Sequence, residues 1–229
     1  MNERLHVMDA PYGLDATERH RVLRNTYALL AISLIPTVLG AWLGVATGIT
    51  RLMGPGLSLI VFLAGAFGFM YAIEKTKESA TGVFVLLGFT FFMGLMLARL
   101  VATVLGFKNG ASLVMTAFGG TAAVFVAMAS LATVIKRDLS GMGKFLMVGA
   151  VILLVAGIAN VFLQSSALML TLIVASLGIF SAFMLYDIKR VLDGGETNYV
   201  SATLAIYLDV YNVFQSLLAL LGIAGGERD

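Results

Sequence analysis

Residues 202–222 read ATLAIYLDVYNVFQSLLALLG, an apolar run long enough to cross a bilayer, with an aspartate, Asp209, near its middle. Such a run belongs in a core or a membrane, and a carboxylate at the centre of a span costs about 2.5–3.5 kcal/mol. The rest of the chain decides between core and membrane. The use made of Asp209 decides what the protein does.

Composition settles the first point. Of the 229 residues, 59% are hydrophobic and only 12% charged, with a mean hydropathy of +0.96, whereas a soluble domain carries about 25% charged residues. The formal charge of +2 and the lack of any basic block give no reason to expect a nucleic-acid partner. With no cysteine there is no disulfide, thiolate nucleophile or cysteine metal site.

A hydrocarbon layer about 30 Å thick needs roughly 20 apolar residues in a helix rising 1.5 Å per residue. Seven runs meet this, at about 26–48, 53–73, 80–105, 111–135, 145–163, 167–190 and 200–223. The first is too long for a signal-peptide core and lacks a convincing cleavage site, so it reads as an uncleaved span. The connectors are as short as QSSA and DGGETN and leave no room for a soluble domain. The expected organisation is all-α: a polar tail over 1–25, one seven-helix transmembrane bundle over 26–223 and a short tail over 224–229.

Eleven Lys and Arg, from Arg4 through Lys189 and Arg190, fall on the N-terminal side of these spans. Arg51, Lys108 and Arg228 fall on the other, and Arg99 lies within the third span. The positive-inside rule then puts the N-terminus in the cytoplasm and, after seven spans, the C-terminus outside. Pro36 should kink the first span, since its ring removes a helix hydrogen bond. Gly65 and Gly68, Gly88 and Gly94, and Gly119 and Gly120 suit close helix contact in lipid.

In the seventh span Ser201, Ala202, Ala205, Asp209, Asn212 and Ser216 recur at helical spacing, so this stripe should face the bundle interior. Leu204, Leu208, Phe214, Leu217 and Leu218 occupy the opposite faces. The sixth span ends FSAFMLYDIKRVLDGGETN, with Asp187 about one turn before its exit and Gly194-Gly195 as a stop signal. In an antiparallel hairpin, a last helix that starts nearer Ser201 than Tyr199 brings Asp187 and Asp209 to within about one turn of the same depth, and a close pair is then expected. Two carboxylates at hydrogen-bonding distance share a proton and titrate as a unit, and their charged form can bind a hard cation. The alternative is separate satisfaction, Asp209 by Asn212 or a tyrosine and Asp187 by interfacial water. Arg99 is too far along its helix to be the counter-ion and should snorkel to the outer surface. Asn160 reads as a helix–helix hydrogen bond.

The segments around these carboxylates, LYDIKRVLDGGETNYVSA and IYLDVYNVFQSLLALLG, resemble the closing signature of the Bax-inhibitor (transmembrane Bax inhibitor motif) family. HRVLRNTY at 20–27, EKTKESATG at 74–82, FGGTAAVF at 118–125 and ANVFLQ at 159–164 are similar to its bacterial YccA branch in particular. The resemblance implies an inner-membrane modulator of the FtsH protease that binds FtsH and its HflK/HflC partners. For members with both aspartates it also implies a pH-sensitive calcium leak, with Asp187 and Asp209 as sensor and cation site. Tyr186, next to Asp187, and Asn212 and Ser216, on the stripe of Asp209, are read from their positions as supporting polar groups. No cofactor is required, and Ca²⁺ is the implied transported or bound ion. The leak proteins latch these aspartates with an arginine near the end of the second span. Here that region reads YAIEKTKES, so Lys75 or Lys77 would have to serve, without arginine's bidentate fork.

An enzyme is not expected. Intramembrane aspartyl proteases also use two carboxylates, but they carry Gly-x-Gly before the second, where this chain has Ile206-Tyr207-Leu208. The seventh span has no lysine for a retinal Schiff base.

Overall fold

The computed structural model describes residues 16–226. Among them run seven long helices: α1 (Ala16–Thr47), α3 (Pro55–Thr76), α4 (Ala80–Leu105), α5 (Gly110–Val134), α6 (Met142–Leu163), α7 (Ser166–Leu192) and α8 (Tyr199–Gly225). A single turn, α2 (Ile49–Leu52), precedes α3. All seven long helices are apolar enough to cross a membrane, and the described residues contain no strand.

The boundaries follow local chemistry. Pro55 opens α3, where its missing N–H removes nothing. Asn160 Oδ1 accepts the Ser165 N–H at 3.0 Å, holding the turn in which Gln164 takes a left-handed φ of 50°. The helix–helix bond expected of Asn160 is thus a bond into the α6–α7 turn. Gly194, at φ +79°, ends α7 as the sequence indicates, with its N–H on the Val191 carbonyl. Asn198 caps α8 by accepting the N–H groups of Val200 and Ser201 at 2.9 and 3.0 Å.

α1 begins well before its apolar stretch. Residues 16–25, expected within a polar tail, continue the helix, and Val22 is buried with Val191 and Ala202 at the α7–α8 end. The composition boundary near residue 25 is therefore not a structural one. Tail residues 1–15, including Arg4, and 227–229, including Arg228, lie outside the described residues. The helix runs uninterrupted through Pro36.

α8 is the axis of the bundle. It packs against α1, α4, α5 and α7 and buries eleven of its own residues. The expected inward stripe is met only in part: Ala202, Asp209 and Ser216 are buried and Ser201, Ala205 and Asn212 half-buried, while of the faces opposite it Leu218 has no exposure and Leu204, Leu208, Phe214 and Leu217 are half-buried. α6 lies at the other extreme, with no buried residue. Trp42, Phe145 and Phe162 point outward at 66%, 82% and 77% exposure. In water such a surface would aggregate; in a bilayer it meets its solvent.

Lipid supplies no hydrophobic force between helices, so their association rests on close packing. The tightest crossing joins α1 and α4. A Cβ on Gly94 would fall 2.1 Å from the Thr37 carbonyl oxygen, and one on Gly40 would fall 2.2 Å from that of Phe91. Of the glycines singled out in the sequence, Gly94, Gly65 (against Phe92) and Gly120 (against Leu217) are in close contact. Gly88 makes ordinary contact, and Gly68 and Gly119 face open space. Gly40 and Gly44, which the sequence reading passed over, belong to the closest approach.

Candidate functional site

Asp209 sits ten residues into α8 and is 3% exposed, and Asp187 lies five residues before the end of α7, half-buried. At 1.5 Å per residue these depths differ by about 7.5 Å. The carboxyl groups nevertheless reach each other and interact side chain to side chain. Oδ2 of Asp209 is buried and receives no hydrogen from any fixed N–H or hydroxyl. Both partners are acceptors when ionised, so a bond between them exists only through a proton that they share. Removing that proton leaves two like charges in contact within an apolar bundle.

Asn212, Tyr207 and Tyr211 of α8 are engaged elsewhere. Asn212 turns its amide back onto the Leu208 carbonyl at 2.8 Å. The Tyr207 hydroxyl meets Thr37 Oγ1 of α1 at 2.9 Å and donates to the Thr90 carbonyl of α4 at 3.4 Å. The Tyr211 hydroxyl donates to the Met93 carbonyl of α4 at 3.3 Å. Neither Asn212 nor these tyrosines therefore satisfies Asp209. Tyr186 lays its phenol over Gly143 of α6, and Ser216 is buried nearly two turns beyond Asp209.

Neither lysine of the expected latch forms an ion pair with the aspartates. Lys77 Nζ is 2.6 Å from Glu74, whose hydrogen bond holds it above the ordinary lysine pKa, and Lys75 lies over the Tyr71 ring at 5.6 Å. Arg99 is exposed near the far end of α4, as its depth requires. The cation whose charge does act on Asp187 is Arg190, one turn further along α7. Arg190 is itself held by Glu196 at 3.3 Å and by the Gly195 carbonyl at 3.3 Å.

Glu196 belongs to a network that closes this end of the bundle. Its Oε1 accepts the N–H groups of Thr197 and Asn198, both at 3.0 Å. Asn198, besides capping α8, donates its amide to the Lys77 carbonyl at 3.0 Å and to Glu78 Oε1 at 3.1 Å. GGETN and EKTKES, distant in sequence, are thus one hydrogen-bonded structure. Arg190, Glu196 and Asn198 escaped the sequence reading because connector polarity looks like ordinary solvation. Tyr207 and Tyr211 carried a usable signal, since a hydroxyl inside a span needs a partner.

No group of three or more His, Asp, Glu or Cys side chains among the described residues could hold a metal ion. Two carboxylates fall short of the six to eight oxygens of a resident Ca²⁺ site.

Comparison with known proteins adds an independent line. A family model described as "Inhibitor of apoptosis-promoting Bax1" matches residues 19–226. An uncharacterised protein of Neisseria meningitidis serogroup B is 40% identical over 220 residues, 94% of this chain and 96% of its own. The modulator of FtsH protease YccA of Escherichia coli K12 is 38% identical over 208 residues, 91% of this chain and 92% of its own. An equally similar Escherichia coli O6:H1 relative is named inner membrane protein YccA.

Proposed function

Because the chain belongs to the Bax-inhibitor family, we propose that it is an inner-membrane regulatory protein that modulates a quality-control protease of the FtsH type. The observation that carries this reading is the 38% identity, across 91% of the chain, to a relative named for that role. On this reading the basic end of the bundle faces the cytoplasm, and the contact would extend to HflK/HflC-type partners. The test is co-purification of the tagged full-length chain with FtsH from membranes. Recovery of FtsH above the level seen with an unrelated seven-helix protein is expected, and its absence under mild detergent overturns the reading.

A second reading rests on a different observation, the contact between Asp187 and Asp209 in the bundle interior. Here the pair is a pH sensor and the cation site of a leak for Ca²⁺ or another hard cation. Loss of the shared proton sets two negative charges against each other across the α7–α8 hairpin. The repulsion favours separation of the helices and the arrival of a cation between them. The two readings are compatible in one molecule, because a hairpin that responds to pH can present a different surface to a protease. Cation entry into proteoliposomes at mildly acidic and mildly alkaline pH tests the leak. A pH-dependent flux lost in Asp187→Asn or Asp209→Asn supports it, and flux no greater than in empty liposomes removes it.

A further inference from the structure

The first turns of α1 carry a feature that neither the carboxylate pair nor protease modulation uses. Thr17, Arg21, Arg24, Ala28, Ala31, Ile35, Val38 and Trp42 follow one another at alternating steps of four and three, and all are exposed. Such spacing keeps them on one face of the helix. The face is cationic for its first two turns and apolar for the next four or so. Its cationic part borders an open cavity of about 630 Å³ lined by Thr17, His20, Arg21, Leu23, Arg24 and Tyr27. The helix is fixed there from behind by Val22, buried against Val191 and Ala202, so the face has a defined direction.

Charge at this position is available. Arg24 has no carboxylate partner among the described residues, and Arg21 has only Glu18, at 3.8 Å with both side chains largely solvated. Arg21 and Arg24 are one turn apart, as are His20 and Arg24, so their donors can converge on one anion. Tyr27 closes the apolar side of the cavity with its ring edge-on to Phe125 at 5.9 Å. A tyrosine between cations and an apolar stripe marks the headgroup level of a bilayer.

We infer that this face of α1 is a binding site for an anionic phospholipid, its phosphate held by Arg21, Arg24 and His20 and its acyl chains lying along Ala28, Ala31, Ile35 and Val38. The stripe decides for a lipid. A free phosphate or an acidic peptide would use the cations alone, whereas a phospholipid matches the cations and the apolar stripe below them on the same face. The two exposed alanines add little bulk where the chains leave the headgroup.

The experiment uses the full-length, delipidated protein in detergent and counts retained lipid by native mass spectrometry. Phosphatidylglycerol is compared with phosphatidylcholine, glycerol 3-phosphate and an oligo-glutamate peptide. The variants are Arg21→Gln/Arg24→Gln and, as a control for net charge, Lys136→Gln/Arg137→Gln at the same end of the bundle. Phosphatidylglycerol is expected to bind in preference to the other three probes. Loss of Arg21 and Arg24 should weaken it roughly thirtyfold, which corresponds to about 1 kcal/mol for each cation near the surface. The control should change it no more than about threefold. Equal weakening in the control pair overturns the site, as does equal retention of phosphatidylcholine. Glycerol 3-phosphate or the peptide binding as well as the lipid overturns the choice of ligand.

Discussion

Asp209 answers to its neighbour, because the donors around it are spent on other acceptors. Asn212 bonds its own helix, and Tyr207 and Tyr211 bond α1 and α4, which leaves the Asp187 carboxyl facing Asp209. Asp209→Asn keeps the shape and removes the shared acidic proton. It should leave the protein folded, with thermal unfolding in detergent close to wild type, and abolish any response to pH. A response that survives in Asp209→Asn assigns the sensing to another group. Tyr207→Phe is a different experiment. Thr37 keeps its bond to the Ser33 carbonyl when the phenol is lost, so the expected cost is one net hydrogen bond, about 0.5–1.5 kcal/mol. Unfolding in a mixed-detergent titration measures it. Both aspartates were legible in the sequence, because a carboxylate in an apolar run has few explanations; their meeting was not, since it depended on where α8 starts, and α8 starts at Tyr199. What held Arg190 was not legible, since its partners Glu196 and Gly195 are fixed by the shape of a connector that periodicity does not describe.

Among the elements, α8 and the α1–α4 crossing organise the rest. The seven spans could be read from length and hydropathy alone, and their edges lie within a few residues of the observed helices, except that α1 starts at Ala16. Packing was less accessible. A span that touches lipid and one buried by its neighbours are both apolar, so α6 and α8 look alike by composition while one buries nothing and the other eleven residues. Glycines show the same ambiguity: Gly94 is locked against Thr37, and Gly68 and Gly119 meet nothing. Gly94→Leu should therefore prevent α1 from seating on α4, with loss of monodisperse protein in size-exclusion chromatography, whereas Gly119→Leu should elute as wild type. At the α7–α8 connector, Asn198→Ala removes the cap of α8 and the tie to Lys77 and Glu78 together. A cost of about 0.5–2 kcal/mol is expected from the cap alone. Hydrogen exchange should quicken in both the 74–79 and the 193–201 segments. Exchange that quickens only around residue 198 would show that the two connectors are not coupled.

The whole molecule is a bundle with its charge gathered at one end. The start of α1 and the ends of α3, α5 and α7 gather there, and the Glu196–Asn198 network and the carboxylate pair lie at or just inside that surface. On the proposed reading, with this end in the cytoplasm, a protease domain would meet it, and the state of the hairpin beneath would determine what it meets. The most direct test reconstitutes FtsH with the full-length chain in one set of proteoliposomes and follows degradation of a membrane substrate at mildly acidic and mildly alkaline pH. The chain should change the degradation rate at least severalfold, to an extent that depends on pH in the wild type and not in Asp209→Asn. A rate identical with and without the chain at both pH values would contradict its assignment as a modulator of the protease.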